Sequence, residues 1–177
     1  MANVWENTIK VDADGNATVD GNLTVDGTTT LGDTVLSEGK SLSISTPLLP
    51  TTDHTHTGLT AQMLAGGAIG ESQTVCIHTT TGEVVITDSN AIGTMPVIGI
   101  APAAISDTVT GTILLQGFIR DDAWNWTIGG IMYASETAGT MTQTAPTTSG
   151  AFVQALGVAL SADVVYFNPA LTLVEVD

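Results

Sequence analysis

Apolar and polar positions in the first third of the chain recur with a period of six. Asp14-Gly15-Asn16-Ala17-Thr18-Val19, Asp20-Gly21-Asn22-Leu23-Thr24-Val25 and Asp26-Gly27-Thr28-Thr29-Thr30-Leu31 each join a glycine corner to a short β segment. Val19, Val25 and Leu31 hold equivalent places, and Leu36, Leu42 and Ile44 continue the series in degenerate form. A self-sufficient β-solenoid needs roughly three such units per coil and several stacked coils before any coil has a buried interior. The array is too short for that. Other copies of the chain are therefore expected to supply the missing core, and a homotrimeric shaft built on Val19, Val25 and Leu31 closes it without free strand edges. Ahead of the array, Trp5 and Ile9 read either as a cap on the first layer of the shaft or as an anchor into a partner.

The pattern changes after residue 46. Thr46-Pro47-Leu48-Leu49-Pro50 interrupts any regular ladder, because proline lacks a donor and fixes φ. Leu59 to Leu64 reads as a short helical turn ahead of Gly66-Gly67. From about residue 68, short apolar runs alternate with turn signals. Strands are predicted at Gln73–His78, Glu83–Thr87, Val97–Ala101, Thr108–Ile119, Ile131–Ala134, Thr140–Gln143, Phe152–Leu160, Val164–Phe167 and Leu171–Val176. Thr81-Gly82, Asp88-Ser89-Asn90, Ala138-Gly139, Pro146 to Gly150 and Asn168-Pro169 separate them. The chain thus divides into an anchor and shaft over 1–46, a Pro/His junction over 47–67 and a C-terminal β-barrel or sandwich over 68–177. The fold class is all-β. A weaker repeat lies in the last part, where Val97-Ile98-Gly99-Ile100-Ala101 matches Ala155-Leu156-Gly157-Val158-Ala159, as if two similar halves made one barrel. The central glycines suit a bend or a close strand approach.

Composition sharpens this picture. Only 12% of the residues are charged against 43% hydrophobic, so Thr, Ser, Asn and Gly must carry much of the polar surface. Lys10, Lys40 and Arg120 are the only strong cations, and the net charge is −15. That balance excludes phosphate-backbone affinity and disfavours an anionic membrane surface, so neither nucleic acid nor membrane is expected as a partner. The most apolar stretch, Ala91 to Ile105, is interrupted by Gly93, Pro96, Gly99 and Pro102 and does not read as a span. Met1 to Lys10 has no basic region followed by an apolar one, so no signal peptide is expected. The single cysteine, Cys76, allows no intrachain disulfide and fits assembly in a reducing cytoplasm.

Among the candidate chemistries, Asp53-His54-Thr55-His56-Thr57-Gly58 has metal-ligand character. In an extended segment His54 and His56 face the same side. Three copies on a three-fold axis would direct six imidazoles at one octahedral ion, Fe²⁺ or Ni²⁺, with Asp53 orienting a ring. Cys76 and His78 stand two apart on a predicted strand, but nothing nearby suggests an oxyanion hole, and a buried structural thiol is expected. Trp124 and Trp126, following Asp121-Asp122, read either as a carbohydrate-stacking platform or as a loop packed on the barrel. The Asp-Gly-Asn units lack the ligand density of a calcium loop and are turn formers. No phosphate loop, dinucleotide fingerprint or serine-nucleophile motif occurs, and no enzymatic activity is expected.

The run from Gly15 to Thr34, Gly15-Asn16-Ala17-Thr18-Val19-Asp20-Gly21-Asn22-Leu23-Thr24-Val25-Asp26-Gly27-Thr28-Thr29-Thr30-Leu31-Gly32-Asp33-Thr34, resembles the shaft repeats of tailed-bacteriophage fibres and spikes. Asp53 to Gly58 is similar to the His-x-His segments that bind iron on the axis of trimeric phage fibres, a likeness carried by His54 and His56 alone. The C-terminal runs at Val97–Ala101, Gly111–Ile119 and Val153–Leu160 resemble small β-barrel domains of phage virion proteins, including trimeric capsid decoration proteins. The resemblance implies a virion protein assembled in the host cytoplasm. It would be a homotrimeric cement or head-spike protein that docks on the major capsid protein or another virion protein. The alternative it implies is a short tail fibre or baseplate spike that binds a host receptor.

Overall fold

A computed structural model describes residues 9–11, 17–19 and 49–177. The chain separates into two compact units, Met1–Ile44 and Ser45–Asp177. In the first, β1 (Ile9–Val11) and β2 (Ala17–Val19) form an antiparallel hairpin that places Ile9 opposite Val19. The first hexapeptide therefore does supply a strand, paired within its own chain. Val25 and Leu31 lie outside the described residues, as does Trp5.

Among the described residues the second unit is all-β, with a single 3₁₀ turn at Ile92–Thr94. Its strands are β3 (His56–Leu64), β4 (Thr74–Ile77), β5 (Val84–Ile86), β6 (Gly99–Ile100), β7 (Thr110–Arg120), β8 (Ile131–Ala134), β9 (Met141–Thr142), β10 (Phe152–Val153), β11 (Ala155–Ala159), β12 (Val164–Phe167) and β13 (Val174–Glu175). Nine of them make one antiparallel sheet in the order β5-β4-β6-β7-β12-β11-β8-β9, with β3 also paired to β7. β10 and β13 form a separate pair. The sheet curls into a half-barrel around β7.

β7 explains the curl. It buries Ile113 in one apolar cluster with Ala65, Ile69, Val75, Val84 and Ile105, and its next residue, Leu114, in another with Val97, Ile100, Met132, Leu156 and Phe167. Successive side chains point to opposite faces, so burial of both requires the structure to wrap both sides of mid-β7. Farther along the strand, Gly117 (φ 150°) lies opposite Gly58 (φ 141°), and a side chain on either would run into the backbone of the other strand. Gly157 (φ 150°) comes equally close to the Tyr166 carbonyl, next to a register shift between Ala155 and Gly157.

Two expectations need correction. Leu59 to Leu64 is not helical: it belongs to a nine-residue strand paired along β7. A six-residue helix is marginal by itself, and a full ladder of backbone hydrogen bonds on a long neighbour outweighs the local preference of Leu, Ala, Gln and Met. Nor do the two five-residue matches sit in equivalent places. β6 pairs with β7 directly, whereas β11 stands one strand further out, beyond β12. What they share is a glycine packed tightly against an adjacent strand.

Candidate functional site

Three short segments meet at His54: the residue 53 corner, the turn that carries Glu71 and the end of β7. Asp53 starts the turn: one carboxylate oxygen, Oδ1, accepts the His54 N–H at 3.0 Å and the Asp122 N–H at 2.8 Å, which ties the residue 53 corner to the end of β7. The Arg120 N–H donates to the Thr55 carbonyl at 3.0 Å and extends the β3–β7 pairing into the same corner. His54 itself takes a left-handed conformation, φ 53°. The chain is thus not extended at this residue, and the alternation that would put His54 and His56 on one face does not hold. His56 begins β3 opposite the buried Ile119, and burial lowers its pKa. Both rings still line one cleft of about 350 Å³ that also includes Ile105 and Val109.

The His54 ring meets carboxylates that are remote in sequence. Nδ1 stands 3.5 Å from Asp53 Oδ2, and Nε2 stands 3.7 Å from Glu71 Oε1 and 3.8 Å from Asp121 Oδ2. Asp53, His54 and Asp121 each offer a ligand atom, all within 4.8 Å of one another. Glu71 comes from the tight turn between Gly70 and Gln73, where the Gly70 N–H donates to the Gln73 side chain. Asp121 follows β7, and its side chain is only 9% exposed. Arg120 pairs instead with Asp122 and, at 3.6 Å, with Asp163. Asp53 and His54 stand out as a motif in the sequence, whereas Glu71 and Asp121 join them only in the fold. Nothing in their spacing could have shown it.

No protein-family model matches the chain, and no curated protein matches it. The functional reading rests on its own residues.

Trp124 and Trp126 pack on the larger core cluster, half-buried, with ring centroids 5.8 Å apart and planes tilted by 49°. They also line a second cleft of about 350 Å³, together with Glu71, Asp121 and Met141. The two indoles therefore lean on the core while bordering an open cleft. Cys76 is fully buried, and desolvation pushes its thiol up to about 11. An activated nucleophile shifts in the opposite direction. His78 accepts from Thr81 in the adjoining turn and has no contact with that sulfur among the described hydrogen bonds.

On the sheet's outer face, direct cross-strand partners form a row: Thr57 with Phe118, Phe118 with Tyr166, Tyr166 with Val158, and Val158 with Ile131. Paired residues share a face. The rings of Phe118 and Tyr166 pack tilted by 44° with centroids 5.2 Å apart, Val158 is 37% exposed, Ile131 48% and the nearby Leu59 61%. The row crosses five strands.

Proposed function

We propose that the chain is a non-enzymatic structural protein of a tailed-phage virion, a homotrimer that attaches to the capsid shell and reinforces it. The observation that carries this reading is the outward row Phe118–Tyr166–Val158–Ile131, in which Val158 and Ile131 are exposed and Phe118 and Tyr166 half-buried, on a chain of net charge −15. Contiguous apolar surface of this kind on a soluble protein marks a contact with other protein. Two further copies of the chain are the natural cover, since the hexapeptide array already needs them for its own core. Trimerisation removes apolar surface from water at roughly 25 cal/mol per Å². The acidic surface would then face an apolar or basic footprint on the major capsid protein or another virion protein.

Capsids stripped of the protein and mixed with it test the proposal. Saturable binding and greater resistance of the loaded capsids to heat are expected; absence of binding to any virion component removes the reading. A second reading, a short tail fibre or baseplate spike that binds a host receptor, draws support from the Trp124–Trp126 cleft with Glu71 and Asp121 on its wall. Indole faces and carboxylates suit a saccharide. Binding to host cells instead of capsids decides for it.

A further inference from the structure

Across its nine residues β3 pairs with β7 alone, and its other edge has no strand beside it among the described residues. The directions of its peptide groups follow from its two ends. The Thr55 carbonyl accepts from Arg120 and the Ala65 N–H donates to Val109, so residues 55 and 65 both face β7. Peptide groups alternate in direction along a regular antiparallel strand. The one register shift, between Leu59 and Thr60, leaves Leu115 without a partner, so the extra residue lies on β7 and β3 itself stays regular. His56, Gly58, Thr60 and Gln62 therefore turn their N–H and C=O groups outward, and among the described residues no backbone group meets them. Only the far end is tied down, where the Gly66 N–H donates to the Val84 carbonyl. Folded proteins blunt a long free edge with charge, proline, a bulge or a cover. The run His56–Leu64 contains no Asp, Glu, Lys, Arg or Pro, and the bulge is on its neighbour.

We infer that β3 is a docking edge for an extended segment of another protein, which adds a strand to the sheet and carries Lys or Arg beyond the end that lies next to His56. Main-chain pairing along the edge supplies the affinity, and flanking side chains supply the choice of partner. Two neighbours of the strand define those side chains. The residue 53 corner, at the start of β3, gathers Asp53, Glu71 and Asp121 around His54, with Asp122 bonded to Asp53 through its N–H. Arg120 is engaged with Asp122 and Asp163, so the corner is left acidic and suits an incoming cation. Beside it, a groove of about 340 Å³ lined by Leu49, Pro50, Thr52, Thr55, His56 and Thr57 has room for an apolar side chain. A second copy of the chain fits the edge less well. It brings a net charge of −15 to an acidic corner, and Lys10, Lys40 and Arg120 are its only strong cations. The inference concerns a strand edge and not the outward row, and it does not rest on the virion reading.

Hydrogen exchange on the full chain tests whether the edge is free. The amides of His56, Gly58, Thr60 and Gln62 should exchange without protection, and those of Thr57, Leu59, Ala61 and Met63 slowly. Protection of the first set in the chain alone means that a copy, or the chain itself, already covers the edge, and overturns the inference. A displayed library of random peptides is then the probe. Selected peptides should alternate uncharged β-forming residues and carry Lys or Arg at one end, and their binding should protect the same four amides. Replacing that Lys or Arg by Glu should weaken binding by at least about tenfold. Thr60→Pro removes an outward N–H and no bond to β7, so it should abolish binding. A readout that leaves the protein unaltered comes from N-methylated peptides: methylation of alternate amides in one phase should abolish binding, and in the other phase leave it intact. Absence of any enriched peptide, protection of amides elsewhere, or equal binding of the two methylated forms overturns the inference.

Discussion

The two faces of the curled sheet are built from the same strands yet serve different ends. The inner face carries Ile119, Val165, Phe167 and Ala159, all at most 1% exposed, in a core closed within the chain. The outer face, one residue along on each strand, carries Phe118 and Tyr166, half-buried, and Val158, exposed. A strand alternates faces with period two, so one-sided burial predicts polar outward residues, as in any half-exposed antiparallel sheet. Here both sets are apolar. The difference teaches that folding accounts for only one of them. In the proposed reading, a contact outside the chain covers the other.

Substitutions on the two faces sharpen that contrast. Phe167→Ala empties the middle of the inner core and should cost about 3–5 kcal/mol, read as a lowered urea midpoint at unchanged slope. Gln154→Leu should come next. This side chain, 1% exposed, accepts the Val97 N–H at 2.8 Å and donates to the Val97 carbonyl at 2.9 Å, so its loss strands two buried backbone groups at about 1–3 kcal/mol in the same assay. On the outer face, Val158→Lys should change the stability of the isolated subunit by less than about 0.5 kcal/mol while weakening self-association. If Val158→Lys unfolds the subunit as Phe167→Ala does, the two faces are not distinct.

The smallest effect is expected away from both faces, at Glu136. The backbone and side chain of Thr148, and then the Thr147 N–H, bond to its carboxylate and hold its pKa below the ordinary glutamate value. A carboxylate with a depressed folded-state pKa adds stability above its unfolded value and loses it as the pH falls through the folded value. Glu136→Gln should therefore lower the urea midpoint slightly at neutral pH, and the difference from the parent should vanish in acid. A difference that grows in acid contradicts the assignment.

The strands were legible where pattern and pairing agree. Ile131–Ala134 and Val164–Phe167 match β8 and β12 residue for residue, because each apolar run ends at a turn signal. Gly82, Gly139 and Gly150 do take the positive φ that their turns required. β3 was not legible. Leu59-Thr60-Ala61-Gln62-Met63-Leu64 favours a helix locally, and only the long partner β7, some fifty residues away, makes it a strand. The His54 corner was legible only in part. His54 and Asp53 stand out in sequence, but Glu71 and Asp121 reach the ring through a turn and a strand end that no local spacing encodes.

Light scattering of the full chain at micromolar concentration tests the central claim most directly. The account predicts three times the chain mass for the parent, with Val158→Lys shifted toward smaller species. A parent chain that stays monomeric at that concentration would contradict it, because neither the hexapeptide array nor the outer apolar row would then have a partner of its own kind.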